Sequence, residues 1–429
     1  MNKQKNYALP IAMMFALFFM ISFVTGLQNP MGVIVKDQFN ASNLMSQLGN
    51  FANFIAYACM GIPAGIMLQR IGYKKSALIA VIVGFIGVAI SYFSGIAGAA
   101  NLNVTYAIYL CGAFISGFSM CMLNTIVNPM LNTLAGGGKK GNQLIQIGGV
   151  FNSTGATIVP VLVGALIGNA ANRTIEDTNP ALWLAMGIFT LAFIVLFFMD
   201  MPEPHLNSNN NKKKETKETH SAFSFRHFNL GIIAIFIYVG VEVGIPNIAN
   251  LYMTTELNMD TAVAGTIVGT YWFLMLIGRF IGAAIGGHIS SKTMLTAATT
   301  CAAILVVCTI FLPQNMVNMP VFKSDISFGM AEVPLNVLLL VLCGLCTSVM
   351  WGAIFNLAVE GLGKYTASAS GIFMMMVCGG GVLPLVQGWV ADNFGFLNSY
   401  YVVLAGIIYI LLYALIGCKN LNTDIDINN

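Results

Sequence analysis

Apolar runs of about 20 residues, each long enough to cross the hydrocarbon of a bilayer, recur along the whole of this chain. A backbone inside lipid must satisfy its own N–H and C=O groups, which leaves only helical bundles and closed barrels. Runs of this length are helices. Only 8% of the 429 residues are charged and 57% are hydrophobic, whereas a soluble domain carries roughly 25% charged residues. The chain is therefore an all-α, polytopic membrane protein, and the polar exceptions inside its spans carry the information.

Twelve spans are predicted, at about 8–35, 44–68, 76–98, 104–134, 143–168 and 180–200, then 228–252, 262–288, 293–313, 333–360, 366–390 and 397–417. One long polar interruption divides them six and six: Asn207 to Asn211 run into Lys212, Lys213, Lys214 and Lys217. This gives an N-terminal bundle (1–200), a cytoplasmic linker (201–227), and a C-terminal bundle with a short tail (228–429). Lys3, Lys5, Arg70, Lys74, Lys75, Lys139, Lys140, the linker lysines, Lys292, Lys364 and Lys419 fall on one side of the twelve-span layout. The other side has only Lys36, Arg173 and Lys323. The positive-inside rule then places both termini in the cytoplasm. The expected location is the plasma membrane, which is the inner membrane in a Gram-negative cell. The first apolar run is too long for a signal peptide and lacks a cleavage site. The nine cysteines lie in apolar segments or at the far C-terminus and are expected as free thiols. The lone Cys343/Cys346 pair is expected to be packing.

The halves repeat. Gly61, Gly65 and Lys75 recur as Gly278, Gly282 and Lys292 at an offset of 217. At an offset of 224, Asn132, Gly137, Lys140, Gly155, Pro160 and Gly164 recur as Asn356, Gly361, Lys364, Gly379, Pro384 and Gly388. Two parallel six-helix bundles around a central cavity describe the major facilitator fold. The connection Gly65 to Lys75 resembles the glycine-and-basic loop that such proteins place after span two, with Gln69 where an acid is usual. Arg70 in it is expected to serve structure or gating.

Asn124, Asn128 and Asn132 stand four apart in span four and line one helix face. Carboxamides facing lipid are costly, so the stripe faces protein or a wet cavity. Polar contacts between helices compete with the alternative favoured here, one wall of a site for a neutral, hydroxyl-rich solute. Further polar groups are Thr25, Gln28 and Asn29 before Pro30, Asn152 and Ser153 in span five, Asn247 and Asn250 in span seven, and Gln387 in span eleven. The expected substrate ligands are Gln28, Asn29, Asn124, Asn128, Asn152, Asn247, Gln387 and Trp351, with Asn356 weaker. Trp351 and the Tyr271/Trp272 pair offer aromatic faces that suit a sugar ring. Glu242 is the one acid near the middle of a span, a functional candidate by default; the alternative is a protonated carboxyl bonded to a neighbouring helix. Arg279 is expected to brace a gate. No catalytic constellation, phosphate loop or zinc spacing occurs, so no enzyme activity, resident cofactor, metal or nucleic-acid partner is expected. The expected partners are a small sugar and the lipid bilayer, around a monomer.

These residues resemble the fucose–proton symporter family of the major facilitator superfamily. The resemblance rests on Leu123-Asn-Thr-Ile-Val-Asn128-Pro129, Phe151-Asn152-Ser153, Tyr238-Val-Gly-Val-Glu242, Ile277-Gly278-Arg279-Phe280 and Gly379-Gly-Gly-Val-Leu-Pro384. The span-seven glutamate is closer to the glucose/galactose branch. The resemblance implies import of a hexose or deoxyhexose by alternating access, coupled to protons or sodium. It also exposes departures: Asn29 and Asn124 stand where the fucose symporter has an aspartate and a glutamate, and Gly149 where it has a glutamine. Amides keep the size and bonding of those acids but do not titrate in the physiological range. Coupling then moves to Glu242, uses another ion, or is absent, as in a facilitator. An exporter of amphipathic compounds is a further, less favoured alternative.

Overall fold

The computed structural model describes residues 7–26, 43–97, 102–167, 175–203, 220–259, 261–323, 326–422 and 425. The helices of the first half are α1 (Ala8–Gly26), α2 (Asn43–Ala97), α3 (Leu102–Leu134), α4 (Gly138–Ile167) and α5 (Asn179–Phe198). The second half has α6 (Arg226–Leu251), α7 (Thr261–Ile285), α8 (Ser291–Phe311), a hairpin of β1 (Met316–Phe322) and β2 (Phe328–Pro334), then α9 (Leu335–Thr347), α10 (Met350–Val359), α11 (Thr366–Met375), α12 (Gly379–Phe394) and α13 (Phe396–Leu412). Ten helical stretches among the described residues have the length and hydropathy to cross a membrane. The longest, inside α2, holds two spans, and the 30-residue α4 completes a set of twelve. Of the linker, 204–219 lies outside the described residues, as do Lys3, Lys5, Lys36, Gln28, Asn29 and Arg173.

Local chemistry explains where the chain turns. Spans two and three are not separated by a loop as the sequence suggests; they run as one element broken at Gly72 alone, whose φ of 80° is open to glycine. The first N–H groups after that break have no helical partner. The carboxylate of Glu203, just past α5, accepts from the amides of Tyr73 at 2.7 Å and Lys74 at 2.8 Å. Glu203→Gln is expected to lower stability by about 1 kcal/mol, the worth of a helix cap, read as a fall in melting temperature in detergent. The repeat-related Gly137 and Gly361 both take positive φ, 73° and 72°, at the turns that follow spans four and ten. That shared conformation gives the internal repeat a physical basis.

Span ten is likewise not one helix. It breaks at Ser348 and Val349 between α9 and α10, and span eleven passes through a tight turn at Met376–Cys378. The connection before span ten, which reads as a loop, is the antiparallel hairpin, paired from Met316↔Pro334 to Phe322↔Phe328. All nine cysteines are free.

Within the first half α2 packs on α3 and α5, and α1 on α4 and α3; within the second, α6 packs on α12, α10 and α13, and α9 on α7 and α8. The halves meet along two seams, α2 with α11 and α4 with α7. At the first, Gly65 and Gly371 pass backbone to backbone, and Gly61 lies against the backbone of Met375. These glycines lie toward the end that carries Arg70, Lys74 and Lys364, called the basic end below.

Candidate functional site

The α4–α7 seam is built from side chains of α4 that reach carbonyls of the other half. Lys139 Nζ donates to the His288 carbonyl at 2.8 Å, Gln143 Nε2 to that of Ala283 at 3.3 Å, and Gln146 Nε2 to that of Val349 at 2.9 Å. Val349, at the break between α9 and α10, accepts there from Gln146 as well as from the Ala353 amide at 3.2 Å. Gln143 and Gln146 are absent from the residues picked out by sequence. Their signal was two amides three apart in an apolar segment just after a lysine pair.

Arg279 stands at the head of this seam. Its Nη1 donates to Ser153 Oγ at 2.6 Å, the Gly149 carbonyl at 3.2 Å and Asn152 Oδ1 at 3.4 Å, all on α4. Its Nη2 faces Glu242 Oε1 on α6 at 3.4 Å. The two side chains are 11% and 13% exposed. Charges so withdrawn from water persist only when paired and hydrogen-bonded. One guanidinium thus ties its own half to the other. Gly149, which stands where the resemblance has a glutamine, leaves room for the Arg279 stem.

Around the pair, Tyr271 Oη donates to the Glu242 carbonyl at 3.1 Å and lies 3.1 Å from Thr347 Oγ1. Tyr238 Oη donates to the Thr347 carbonyl, also at 3.1 Å. Thr347 closes α9, so the break in span ten supplies this acceptor. Asn152 also donates to the Phe18 carbonyl of α1 at 3.2 Å.

The asparagine stripe of α3 turns inward. Asn124 Nδ2 meets Tyr57 Oη at 2.9 Å and the Met120 carbonyl at 3.1 Å. Asn128 is fully buried, donates to the Asn124 carbonyl at 2.9 Å, and accepts from Trp351 Nε1 of the second half at 3.4 Å. Asn132 lies against Gly141 on the way to the basic end, and Asn356 donates to Ser291 Oγ at 2.8 Å. Tyr57 was also missed; a lone tyrosine in a span gives no sequence signal.

The remaining candidates separate. Gln387 is buried between α12 and α6 with its amide oxygen against Gly244, away from the seam bonds. Asn247 is exposed, five residues beyond Glu242, and Arg70 is exposed at the basic end. Trp272 is 37% exposed, set edge-on to Tyr271. It stands two turns from Arg279 on the same face of α7. Among the described residues, every hydrogen bond between the halves falls between the level of Arg279 and the basic end. The halves are closed there, and Trp272 stands above the closure.

Two helical halves that meet along one glycine seam and one polar seam, the latter crossed by Arg279 with its paired Glu242 in the same half, form the architecture of a membrane transporter. The chain belongs to the Major Facilitator Superfamily, whose family model matches residues 14–384. It is 30% identical over 424 residues to the glucose/galactose transporter of Brucella abortus, covering 98% of this chain and 96% of that one. It is 24% identical over 418 residues to the L-fucose-proton symporter of Escherichia coli, covering 92% and 89%. Among solved structures it matches the superfamily transporter FucP in the outward conformation with a TM-score of 0.79 at 21% identity, covering 95% and 98%. The proton:xylose symporter XylE matches at 0.73 and 14% identity, covering 96% and 95%. Both structural likenesses bear on the fold.

Proposed function

We propose that this protein imports a hexose or deoxyhexose by alternating access, as a monomer, with the basic end in the cytoplasm and the state described here facing outward. The observation that carries the reading is the position of Arg279, which joins Glu242 to Ser153 and Asn152 just below the exposed Trp272. A sugar entering from the end opposite the basic one meets an aromatic face first and then amides and charged groups. The transport of glucose, galactose and fucose by the relatives supports the substrate class.

Three of the bonds at this level are long: Arg279 to Asn152, Arg279 to Glu242, and Trp351 to Asn128, each 3.4 Å. They lie past the usual N–H···O range and are the cheapest to exchange. Sugar hydroxyls would replace them with shorter bonds; two of the three, Arg279 to Asn152 and Trp351 to Asn128, cross between the halves, and their exchange would let the halves rock apart at the basic end. Asn124, Asn128, Asn152 and Trp351 are the ligands this route uses; Asn247 and Trp272 face the approach. Gln387 is placed to set the α6–α12 contact instead. Glu242 is the coupling group, with a proton or sodium as the driving ion. An uncoupled facilitator is the second reading, favoured by amides at Asn29 and Asn124 and by the engagement of Glu242 with a fixed cation.

The test is uptake of labelled glucose, galactose, fucose and mannose into proteoliposomes, without a gradient, with a proton gradient, and with sodium. Uphill accumulation under one gradient is expected. Glu242→Gln is expected to abolish accumulation while preserving sugar exchange. Equilibration that ignores both gradients would select the facilitator, and no movement of any sugar would overturn the substrate class.

A further inference from the structure

The hairpin between α8 and α9 has no part in the seam, and its surface is unusual. Its two faces alternate as a strand pair should: Met319, Val321 and Val333 are buried, while on the other face Met316, Asn318, Pro320, Phe328, Met330 and Glu332 are exposed and Phe322 is half-buried. Along that exposed face the character changes. At the root Met316 opposes Pro334; the next pair is the polar Asn318 and Glu332, and nearer the turn come Pro320 and Met330, then Phe322 and Phe328. Phe328, Met330 and Ile326 are 68%, 66% and 65% exposed. Three large apolar side chains presented together at the end of a small hairpin are not what an aqueous loop maintains.

The hairpin also lies low. Phe322 stacks on Phe273 of α7 with ring centroids 4.3 Å apart, and Phe328 meets the same ring at 5.7 Å. The amide of Phe322 donates to Thr270 Oγ1 at 2.9 Å. The membrane-length part of α7 begins at Val263, so Thr270 lies roughly 10 Å further along the axis. Val263, Thr270, Phe273, Phe280 and Ile281 share one face of α7, and Val263, Phe280 and Ile281 are exposed on it. In a membrane transporter an exposed apolar helix face of this kind is the lipid-facing one. The hairpin therefore continues a lipid-facing surface.

We infer that the hairpin is an interfacial anchor: Ile326, Phe328 and Met330 insert at the headgroup–acyl boundary of the leaflet opposite the basic end. Two features set the depth. A two-stranded hairpin has open edges whose polar groups hydrocarbon would not satisfy, which keeps it out of the bilayer centre. Lys323 folds its amino group back over Gly329, where its stem covers apolar surface and its charge reaches the phosphates. The polar Asn318–Glu332 pair then stands toward water. This rests on the membrane fold and not on the sugar proposed above.

The experiment places a nitroxide at Phe328→Cys, and independently at Met330→Cys, in full-length protein whose native cysteines are replaced. The protein is reconstituted in phosphatidylcholine vesicles and kept only if it retains a folded elution profile. Collisions with oxygen, which concentrates in lipid, are compared with collisions with a water-soluble nickel chelate. Phe280→Cys on α7 gives the lipid reference, and Lys140→Cys the water reference. Oxygen collisions exceeding nickel at both hairpin sites, with the ratio inverting at Asn318→Cys, is the expected result. Nickel exceeding oxygen at Phe328 and Met330 would make the hairpin an aqueous loop and overturn the inference. Low access to both reagents would do the same by showing a protein partner, such as a second copy, on that face.

Discussion

Replacing Gly371 with valine is expected to abolish sugar uptake while leaving the folded protein in the membrane. A Cβ at that position would run into the backbone of Gly65 and the carbonyl of Gly61 on α2. Neither can move aside without moving the whole first half. Overpacking a contact costs about 1–3 kcal/mol, and that penalty falls only on the state in which the basic end is closed. It translates into a shift of roughly 5- to 150-fold toward the open state. A cysteine in place of Ala367, buried beside Gly65 in the same seam, reports the change. It should resist a membrane-impermeant thiol reagent from the basic side in the parent protein and react quickly in the Gly371→Val background. Unchanged reactivity together with normal uptake would show that the α2–α11 seam does not gate transport.

Arg279→Gln is expected to be the most damaging single change at the site. It leaves Glu242 buried without its cation, which costs about 3–5 kcal/mol in a buried pair, and removes the ties to Ser153, Gly149 and Asn152. Uptake should fall on the order of 100-fold, the scale that 1.36 kcal/mol per decade gives for about 3 kcal/mol. Combining it with Glu242→Gln removes the stranded charge, so the double variant should be more stable than Arg279→Gln alone. A double-mutant cycle on melting temperature and on exchange rate separates the pair from its parts. Ser153→Ala dissects the other side. It removes the shortest bond across the seam, 2.6 Å, and leaves the ion pair intact, so it should loosen the basic end without the loss of stability. Strict additivity of Arg279→Gln and Glu242→Gln would mean the two side chains do not act as a unit.

Much of this was legible in the chain. Span length fixes the membrane class because hydrocarbon admits few backbone arrangements. The register of Asn132, Gly137 and Lys140 with Asn356, Gly361 and Lys364 announces the two halves. Asn124 and Asn128 had to turn inward because lipid offers their carboxamides nothing, and they do. Glu242 stood out as an acid near the middle of a span, and Arg279 as a cation toward the cytoplasmic end of span eight, suited to bracing a gate. Other parts were illegible for definable reasons. The break in span ten at Ser348 and Val349 has no proline beside it to announce it, whereas that in span eleven stands next to Gly379, Gly380 and Gly381. The hairpin was hidden because Pro320 and Gly329 interrupt its two strands, residues that sequence reading counts against a strand, and it rests on α7. That Gln387 lies between α6 and α12, its amide oxygen against Gly244 and its buried Nε2 without a hydrogen-bond partner, was likewise beyond the sequence.

The sequence by itself determined the membrane class and the short roster of polar side chains, since both follow from the cost of a polar group in hydrocarbon, and it displayed the twofold repeat through a shared register of glycines, prolines and lysines. The tertiary structure alone decided which of those side chains meet. Glu242 and Arg279 are 37 residues apart, and Arg279 and Ser153 are 126 apart. No periodicity relates residues on different helices; their distances are set by how helix surfaces interlock, a property of whole packed faces and of glycines that let two backbones touch.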